Sequence, residues 1–372
     1  MEFIDLKKQQ NLIKEKLDVS LKKVLEEGSY ILGPEVEKLE QKLAEFSGSN
    51  FCLTTASGTD SLLMALLAID IKPGDEVITT PFTWISTVEV IKLVGAVPIY
   101  CDIDIDTFNM DPTKLEALIS SNTRAIIPVS LFGQCVDFDL VNAIASSYDI
   151  HVIEDGAQSF GAEYKGKRSC ALSSLGCTSF FPSKPLGCYG DGGAIFTNNE
   201  LLFKKLKAIR VHGASSKNNF DFVGLNGRFD TIQAAILLNK LEIFEREIKL
   251  RQEKALAYKN LFTEFENEDL SSITFKTPVI EEHNLSVFAQ YTVITDDRDE
   301  ALKRMTSSNI PYAIHYEKLA FEHEAYKPHY VPDVPNAHYL KERVFSIPMH
   351  PYLDYSEQQK VVGCLHNRKI DD

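Results

Sequence analysis

Two segments determine how this chain folds: Val152-Ile-Glu-Asp-Gly-Ala-Gln-Ser159 and Thr178-Ser-Phe-Phe-Pro-Ser-Lys-Pro-Leu-Gly-Cys-Tyr-Gly-Asp-Gly-Gly193. Each begins at the end of a short apolar run, which predicts a buried strand, and continues into small and polar residues, which predict a loop. Asp155 is therefore expected at a strand end, and Lys184 in a Pro- and Gly-bounded loop after another strand. Ligands of open α/β sheets bind at the carboxyl ends of strands, so the two side chains are predicted to share a site.

A loop lysine together with a strand-end carboxylate is typical of enzymes that use pyridoxal 5′-phosphate (PLP). The lysine amine forms a Schiff base with the cofactor, and the carboxylate pairs with the protonated ring nitrogen. Either residue alone would more often be a solvated loop lysine or a turn former. The combination of Lys184 and Asp155 favours PLP chemistry, in which Lys184 also moves a proton between substrate and cofactor. Glu154 would point to the opposite face of its strand and is the weaker partner for the ring.

The composition predicts a globular protein that can bury a large core. The chain has 372 residues, 44% of them hydrophobic and 25% charged, which is enough for two domains. No apolar run is long enough to span a membrane, and the first residues lack the pattern of a signal peptide, so we expect a cytoplasmic protein. The net charge of −14 argues against a nucleic-acid partner, and any anion site must be local.

The seven cysteines predict neither a metal centre nor a disulfide framework. They form no CxxC pair and are odd in number, so reduced, mostly buried thiols are the favoured interpretation. We therefore predict no metal ion.

Short apolar runs alternate with helical patterns through the first two-thirds of the chain, which predicts a doubly wound, mostly parallel sheet. The predicted strands are Phe51–Thr54, Glu76–Thr80, Val97–Cys101, Ala125–Val129, His151–Ile153, Cys177–Phe180 and Ala194–Thr197. The predicted helices span residues 2–26, Gly58–Ile69, Thr87–Val94, Leu140–Ser147 and Asp230–Tyr258. Beyond about residue 260, strands at Tyr291–Ile294 and Ala313–His315 indicate a smaller α+β unit. We predict a large cofactor-binding domain over residues 1–245 and a small domain over 246–372.

Further residues fit a PLP site. The turn Thr55–Asp60 lies between a strand and a helix, where small residues and free amides can hold a phosphate, and Ser179 could add a hydroxyl. Gln158 can bond to the ring hydroxyl, and Trp84 can cover the ring, although a core or interface role for Trp84 is equally open. Gly190–Gly193 precedes a strand rather than a helix, so we interpret it as tight backbone turning instead of a phosphate loop.

These residues together resemble the sugar aminotransferases of the DegT/DnrJ/EryC1/StrS family, which have the aspartate aminotransferase fold (PLP fold type I). The resemblance covers nearly the whole chain, and the motifs that carry it occur in the family's order: Tyr30-Ile-Leu-Gly-Pro-Glu35, Ala56-Ser-Gly-Thr-Asp60, Pro73-Gly-Asp-Glu-Val-Ile78, Glu154–Ser159, Ser179-Phe-Phe-Pro-Ser-Lys-Pro185, Arg210-Val-His-Gly213 and Gly224-Leu-Asn-Gly-Arg228.

The resemblance implies roles for individual residues. Lys184 matches the Schiff-base lysine, Asp155 the ring-nitrogen partner and Gln158 the ring-hydroxyl partner. The remaining matches are a stacking aromatic and contacts to the phosphate: Trp84, Gly58, Thr59, Ser179 and Asn226. The family's asparagine reaches the phosphate from the second subunit, so a homodimer with shared active sites is implied.

The resemblance also implies a substrate. The segments Ile127–Asp139 and Ser183–Gly193 look closest to enzymes that transfer nitrogen from L-glutamate to UDP-2-acetamido-2-deoxy-3-keto-glucuronate, for bacterial surface polysaccharides such as O-antigen. Arginine suits the uronate carboxylate, and Arg228 is the first candidate. His315 and Tyr316 match substrate contacts, and Arg210 and His212 are further candidates.

One departure and three alternatives accompany this prediction. Many relatives continue His-Tyr-Pro where this chain has His315-Tyr-Glu-Lys318, which places the charges of Glu317 and Lys318 at the substrate entrance. An aminotransferase of a 4-keto nucleotide sugar is the main alternative. A PLP-dependent sugar dehydratase is disfavoured, because such relatives have histidine in place of Lys184. A PLP-binding sensor without turnover is the third alternative.

Overall fold

Helices and strands alternate along the computed structural model, which describes residues 1–266 and 273–368. The strands are β1 (Phe51–Thr55), β2 (Glu76–Thr79), β3 (Val97–Tyr100), β4 (Thr123–Ile127), β5 (His151–Asp155), β6 (Glu163–Tyr164), β7 (Lys167–Arg168), β8 (Leu175–Ser179), β9 (Gly193–Thr197), β10 (Ala214–Ser216), β11 (Asn219–Phe220), β12 (Phe275–Lys276), β13 (Asn284–Leu285), β14 (Tyr291–Thr295) and β15 (Val344–Ile347). The α-helices are α1 (Leu6–Glu27), α2 (Pro34–Ser47), α3 (Gly58–Ala68), α4 (Ser86–Leu93), α5 (Phe138–Ser147), α6 (Glu200–Ile209), α7 (Thr231–Glu266), α8 (Arg298–Ser307), α9 (Pro335–Lys341) and α10 (Tyr355–Leu365). Short 3-10 helices occupy Pro112–Lys114, Glu116–Leu118, Leu131–Gly133, Ala320–Glu322 and Glu324–Tyr326.

A seven-stranded sheet in the order β1-β9-β8-β5-β4-β2-β3 forms the centre of the larger unit. β9 is antiparallel to both neighbours, and the other adjacent pairs are parallel. The predicted mostly parallel α/β sheet is therefore confirmed. β4 ends at Ile127, two residues before the predicted end, because Pro128 has no N–H to continue the ladder; its carbonyl still accepts from Asp155 N–H at 2.9 Å.

Helices cover both faces of this sheet. One face packs against α2, α5 and α7, with Leu43, Val141 and Leu237 in its core. The other face packs against α3, α4 and α6, with Leu66 and Leu206 in its core. Two separate apolar cores on one sheet are what a doubly wound fold requires.

A smaller unit follows the long helix α7. The strands β12, β14 and β15 form an antiparallel sheet, whose core includes Val293, Phe345 and Val361. The predicted strand Ala313–His315 is wrong, since only Ala313 makes an isolated bridge, to Ser346.

Helix α7 contributes to the cores of both units. It extends to Glu266, past the predicted end at Tyr258, because Leu261, Phe262 and Phe265 bury their side chains in the smaller core. The predicted division into residues 1–245 and 246–372 stays a prediction, and its boundary lies inside this helix.

The first helix is well delimited by its caps. The side chain of Asp5 accepts from Lys8 N–H at 2.9 Å, and Gly28 ends the helix in the left-handed conformation with φ 70°, as expected for a C-terminal glycine. Over the described residues, we find no helix with the length and apolarity needed to cross a membrane. The same residues contain no group of three or more His, Cys, Asp or Glu suited to a metal ion.

The contact between α7 and the sheet gives a stability prediction. Leu237 is fully buried on α7, whereas Leu201 on α6 is 76% exposed. We expect Leu237→Ala to lower the free energy of unfolding by about 2–5 kcal/mol, because it leaves a cavity in a packed core. Leu201→Ala should change it by less than about 0.5 kcal/mol. Denaturant titration measures both values, and equal effects would contradict the packing described for α7.

Candidate active site

A cleft of about 430 Å³ opens at the carboxyl ends of β5 and β8. Its lining combines both units of the chain. The larger unit contributes the residues predicted to hold the cofactor, namely Gly58, Thr59, Trp84, Asp155, Gln158 and Ser179, together with Lys184. The smaller unit contributes Gln290 and the two predicted substrate contacts, His315 and Tyr316. The structure thus brings together nine of the thirteen predicted site residues.

Lys184 lies in a tightly held loop. Its backbone N–H donates to the carbonyl of Phe181 at 2.9 Å, and Cys188 N–H donates to the carbonyl of Phe180 at 2.7 Å. Burial lowers the pKa of the Lys184 amine, and the negative charge of Asp155 partly opposes that shift. A lowered pKa increases the unprotonated fraction of the amine, which is the form that attacks a carbonyl.

Asp155 is buried at the last residue of β5. Its Oδ2 accepts from Thr87 Oγ1 at 2.8 Å, and its Oδ1 accepts from Ala157 N–H at 3.2 Å. Burial raises the pKa of this carboxyl in spite of both hydrogen bonds. A cation facing Asp155 in the cleft, such as a protonated ring nitrogen, would offset that cost. Thr87 is not among the predicted site residues, because the sequence pattern there predicts only the start of a helix.

Glu154 does not face the cleft. It is fully buried and accepts from Ser169 Oγ at 2.6 Å and from Cys170 N–H at 2.8 Å. Burial raises its pKa to about 7. The alternation of side chains along β5 therefore separates the two acids as predicted, with Asp155 at the cleft and Glu154 in the protein interior.

Gln158 connects the two units at the cleft. Its Oε1 accepts from Phe132 N–H at 2.8 Å, and its Nε2 donates to Tyr316 Oη at 3.0 Å. The Tyr316 ring lies 6.3 Å from the Trp84 ring, centroid to centroid, so the two form an aromatic wall. The side chain of Trp84 is 59% exposed, which leaves its ring free to cover a bound group.

The His315 ring forms a hydrogen bond with β15 of the smaller unit. Its Nδ1 lies 2.9 Å from Ser346 Oγ. Burial, with a contribution from the positive charge of Lys184, lowers the pKa of His315 to about 4. The imidazole is therefore neutral near pH 7. Glu317 and Lys318, which follow Tyr316, are exposed.

The start of α3 and the end of β8 meet closely. Ser57 Oγ caps α3 by accepting from Asp60 N–H at 3.0 Å. A Cβ on Gly58 would lie 2.6 Å from Ser179 Cβ, so only glycine permits this approach. A helix N-terminus beside a hydroxyl is a favourable place for a phosphate. These residues, with Lys184 and Asp155, fit PLP.

The segment Gly190–Gly193 leads from the loop of Lys184 into β9, and Gly190 lies in a bend. None of its three glycines has a positive φ, so the turning does not require the left-handed conformation. A Cβ on Gly193 would lie 2.5 Å from the carbonyl oxygen of Ser57. Close packing of the chain against the α3 turn requires this glycine.

Four predicted residues do not line the cleft of their own chain. Arg210 is buried and donates to Glu40 Oε1 at 2.5 Å and to the Thr54 carbonyl at 3.0 Å. This pairing joins α2 to β1, so we correct the prediction that Arg210 contacts substrate. His212 and Asn226 are exposed, and Arg228 is half-buried.

The cleft is poor in cations. Lys184 is the only lysine or arginine among the described residues that line it. The Lys184 amine is predicted to form the bond to the cofactor. Phosphate and carboxylate ligands would therefore need cations from residues outside this lining.

Replacing Thr87 should weaken cofactor binding through Asp155. Thr87→Val removes a donor that favours the ionised carboxyl, so we expect about 10- to 100-fold weaker PLP affinity. The Thr87 hydroxyl lowers the pKa of Asp155, so its loss should raise that pKa. PLP affinity, which falls as Asp155 becomes protonated, should then begin to fall at a higher pH in Thr87→Val than in the wild type. Thr87→Ser keeps the hydroxyl and should bind normally. Equilibrium titration with PLP at several pH values measures both, and equal affinities would contradict this role of Thr87.

Comparison with known proteins agrees with this geometry. Residues 11–366 match the DegT/DnrJ/EryC1/StrS aminotransferase family. A protein from Pseudomonas aeruginosa described as UDP-2-acetamido-2-deoxy-3-oxo-D-glucuronate aminotransferase is 50% identical over 372 residues, covering 99% of this chain and 100% of its own length.

Two solved structures superpose closely. A DegT/DnrJ/EryC1/StrS aminotransferase from Brucella abortus has a TM-score of 0.94 and 39% identity, with 99% of both chains covered. NtdA from Bacillus subtilis, with its cofactor PMP bound, has a TM-score of 0.88 and 28% identity, covering 98% of this chain and 82% of that one. PMP is the amine form of PLP. The motifs, the fold and the cleft thus lead to one conclusion: the chain belongs to the DegT/DnrJ/EryC1/StrS aminotransferase family and is a PLP-dependent enzyme.

Proposed function

We propose that this enzyme transfers the amino group of L-glutamate to the 3-keto group of a UDP-linked 2-acetamido-2-deoxy uronic acid. The observation that carries this proposal is the 50% identity, over the whole chain, to an enzyme named for that keto sugar. The cleft supports the reaction type, because it places a lysine amine of lowered pKa near a buried carboxylate.

We further propose a role for each residue that lines the cleft. Lys184 bonds to the cofactor and, once released by the amine substrate, moves a proton at the reacting carbon. The bound cofactor supplies an electron sink for negative charge at that carbon. Asp155 keeps the ring nitrogen protonated, and Gln158 orients the ring hydroxyl.

The phosphate and the substrate have separate partners in this proposal. Gly58, Thr59 and Ser179 hold the phosphate at the start of α3. Trp84 covers the ring. His315 and Tyr316 contact the sugar from the smaller unit, and the neutral imidazole of His315 can donate or accept a hydrogen bond there.

We propose a homodimer whose partner completes each cleft. Asn226 and Arg228 lie outside the lining of their own cleft, and the described lining contains no arginine. An anionic phosphate and an anionic uronate both need hydrogen-bond donors. We therefore propose that Asn226 and Arg228 of one subunit enter the cleft of the other, where Asn226 binds the phosphate and Arg228 binds the uronate. His212 lies beside this segment, since its N–H donates to the Leu225 carbonyl at 3.0 Å, and it stays a candidate contact.

We place this reaction in the cytoplasm, in the supply of diamino uronic sugars for surface polysaccharides such as O-antigen. Nucleotide-linked keto sugars are activated building blocks, so the product is consumed by a later acyl or glycosyl transfer. The proposal rests on the substrate class alone.

The two half-reactions can be tested separately. In the PLP-loaded enzyme, L-glutamate should remove the absorbance band of the lysine-bound cofactor, and the UDP-linked 3-keto uronate should restore it. Lys184→Ala should fold normally and show neither change. Restoration by a 4-keto amino sugar instead of the uronate would replace the proposed substrate. A wild-type enzyme that binds PLP but does not respond to glutamate would overturn the transaminase proposal.

Arg228 should discriminate a uronate from an uncharged sugar. We expect Arg228→Ala to weaken transition-state stabilisation for the 3-keto uronate by about 1.5–3 kcal/mol, measured as a fall in kcat/KM, because a charged hydrogen bond is lost. The uncharged analogue should be affected little. Arg228→Lys should recover only part of the activity, since lysine lacks the planar fork. The exposed Arg246 provides the control Arg246→Ala, and equal losses on both sugars would remove Arg228 from the carboxylate role.

A further inference from the structure

Two side chains of α7 form hydrogen bonds with the main chain just after Lys184. Lys240 Nζ donates to the carbonyl of Gly187 at 2.6 Å. Gln233 Oε1 accepts from Tyr189 N–H at 2.9 Å, and its Nε2 donates to the Tyr189 carbonyl at 3.4 Å. Lys240 is seven positions after Gln233, which places the two about two turns apart on one face of the helix.

Lys240 is an unusual residue to find in this position. Its side chain is fully buried, and lysine is almost never fully buried without a partner. Its Nζ lies 4.3 Å from the centroid of the Tyr189 ring, so its hydrogen bond and its contact with an aromatic ring are both with the same loop. Burial lowers its pKa to about 8, with the charge of Glu247 opposing that shift. A simple core position would be filled more favourably by leucine or methionine.

The gripped segment has little freedom of its own. A Cβ on Gly187 would lie 2.5 Å from the Pro182 carbonyl oxygen, so the chain folds back on itself directly after Lys184. Cys188 N–H donates to the Phe180 carbonyl at 2.7 Å. The loop is thus closed at its base by its own backbone and fixed from outside by α7.

We propose that Lys240 and Gln233 are positioning residues, which hold the Gly187–Tyr189 backbone so that the Lys184 amine meets the cofactor and the substrate carbon in register. This inference rests on the role of Lys184 proposed above. A bond to a charged donor holds a carbonyl more strongly than a neutral one, and a small displacement of a reacting group lowers the rate severely. Neither side chain lines the cleft, so the effect passes through the loop.

We call the hydrogen bonds of Lys240 and Gln233 to the Gly187–Tyr189 backbone the clamp. Four variants test it in the PLP-loaded enzyme. Lys240→Met and Gln233→Met remove the hydrogen bonds and keep similar side-chain length. Gln233→Glu keeps the acceptor for Tyr189 N–H and loses only the longer bond to the Tyr189 carbonyl. Lys249 is exposed on the same helix, and Lys249→Met is the matched control. Each variant is measured by deuterium uptake of the 181–192 segment and by the rate at which saturating glutamate removes the band of the lysine-bound cofactor.

We expect faster uptake in the 181–192 segment for both methionine variants at Lys240 and Gln233. The limiting rate should fall roughly tenfold for Lys240→Met and roughly fivefold for Gln233→Met, while the glutamate concentration for half-saturation changes by less than about threefold. Gln233→Glu and Lys249→Met should stay within about twofold of wild type.

Two results would overturn the clamp. One is unchanged uptake and rate in both methionine variants; the other is a loss in Gln233→Glu as large as in Gln233→Met. If Lys240→Met does not fold, the two Gln233 variants decide the question. A wild-type enzyme that ignores glutamate would refute the proposed function instead, and the uptake measurement would still test the clamp.

Discussion

The position of a partly buried lysine and a buried aspartate in the same cleft is the constraint on which the site depends. Burial lowers the pKa of Lys184 and raises that of Asp155, so each group is displaced toward its neutral form. These two residues would hold a cofactor that carries an aldehyde and a protonated ring nitrogen, because the Lys184 amine would bond to the aldehyde and the Asp155 carboxylate would pair with the nitrogen. The fold places these two residues together and shields them from solvent. Parallel strands bring Asp155 and the loop of Lys184 to one edge of the sheet, and helices cover both of its faces.

Periodicity and strand ends predicted most of this framework from the sequence. The strand runs and the two segments around Asp155 and Lys184 carry local signals, which need no knowledge of distant contacts. The end of α7 was missed because Phe262 and Phe265 are stabilised by the smaller core rather than by helical propensity. The role of Arg210 was also missed, since its partner Glu40 lies far away in the sequence. Thr87, Gln233 and Lys240 act through tertiary hydrogen bonds, and nothing local in the sequence marks them.

Electrostatics explains why the site needs a second subunit in our proposal. The chain carries a net charge of −14, and the described lining of the cleft offers a single cation, Lys184. In our proposal the Lys184 amine bonds to the cofactor, so an anionic substrate needs another basic group. We assign that role to Arg228, which is half-buried and outside the lining of its own cleft, across a subunit boundary. Specificity for a carboxylate would then be a property of the dimer rather than of the monomer.

The helix that carries the proposed clamp residues, Gln233 and Lys240, also links the two walls of the cleft. The first turns of α7 hold the loop of Lys184, and its last turns pack Phe262 into the core of the unit that presents His315 and Tyr316. The hydrogen bond from Gln158 to Tyr316 joins the two walls a second time, inside the cleft. In our proposal Gln158 orients the ring hydroxyl and Tyr316 contacts the sugar, so this hydrogen bond joins a cofactor contact to a substrate contact. The proposed substrate contact and the proposed proton transfer would then be supported by the same helix, as a site with fixed geometry requires.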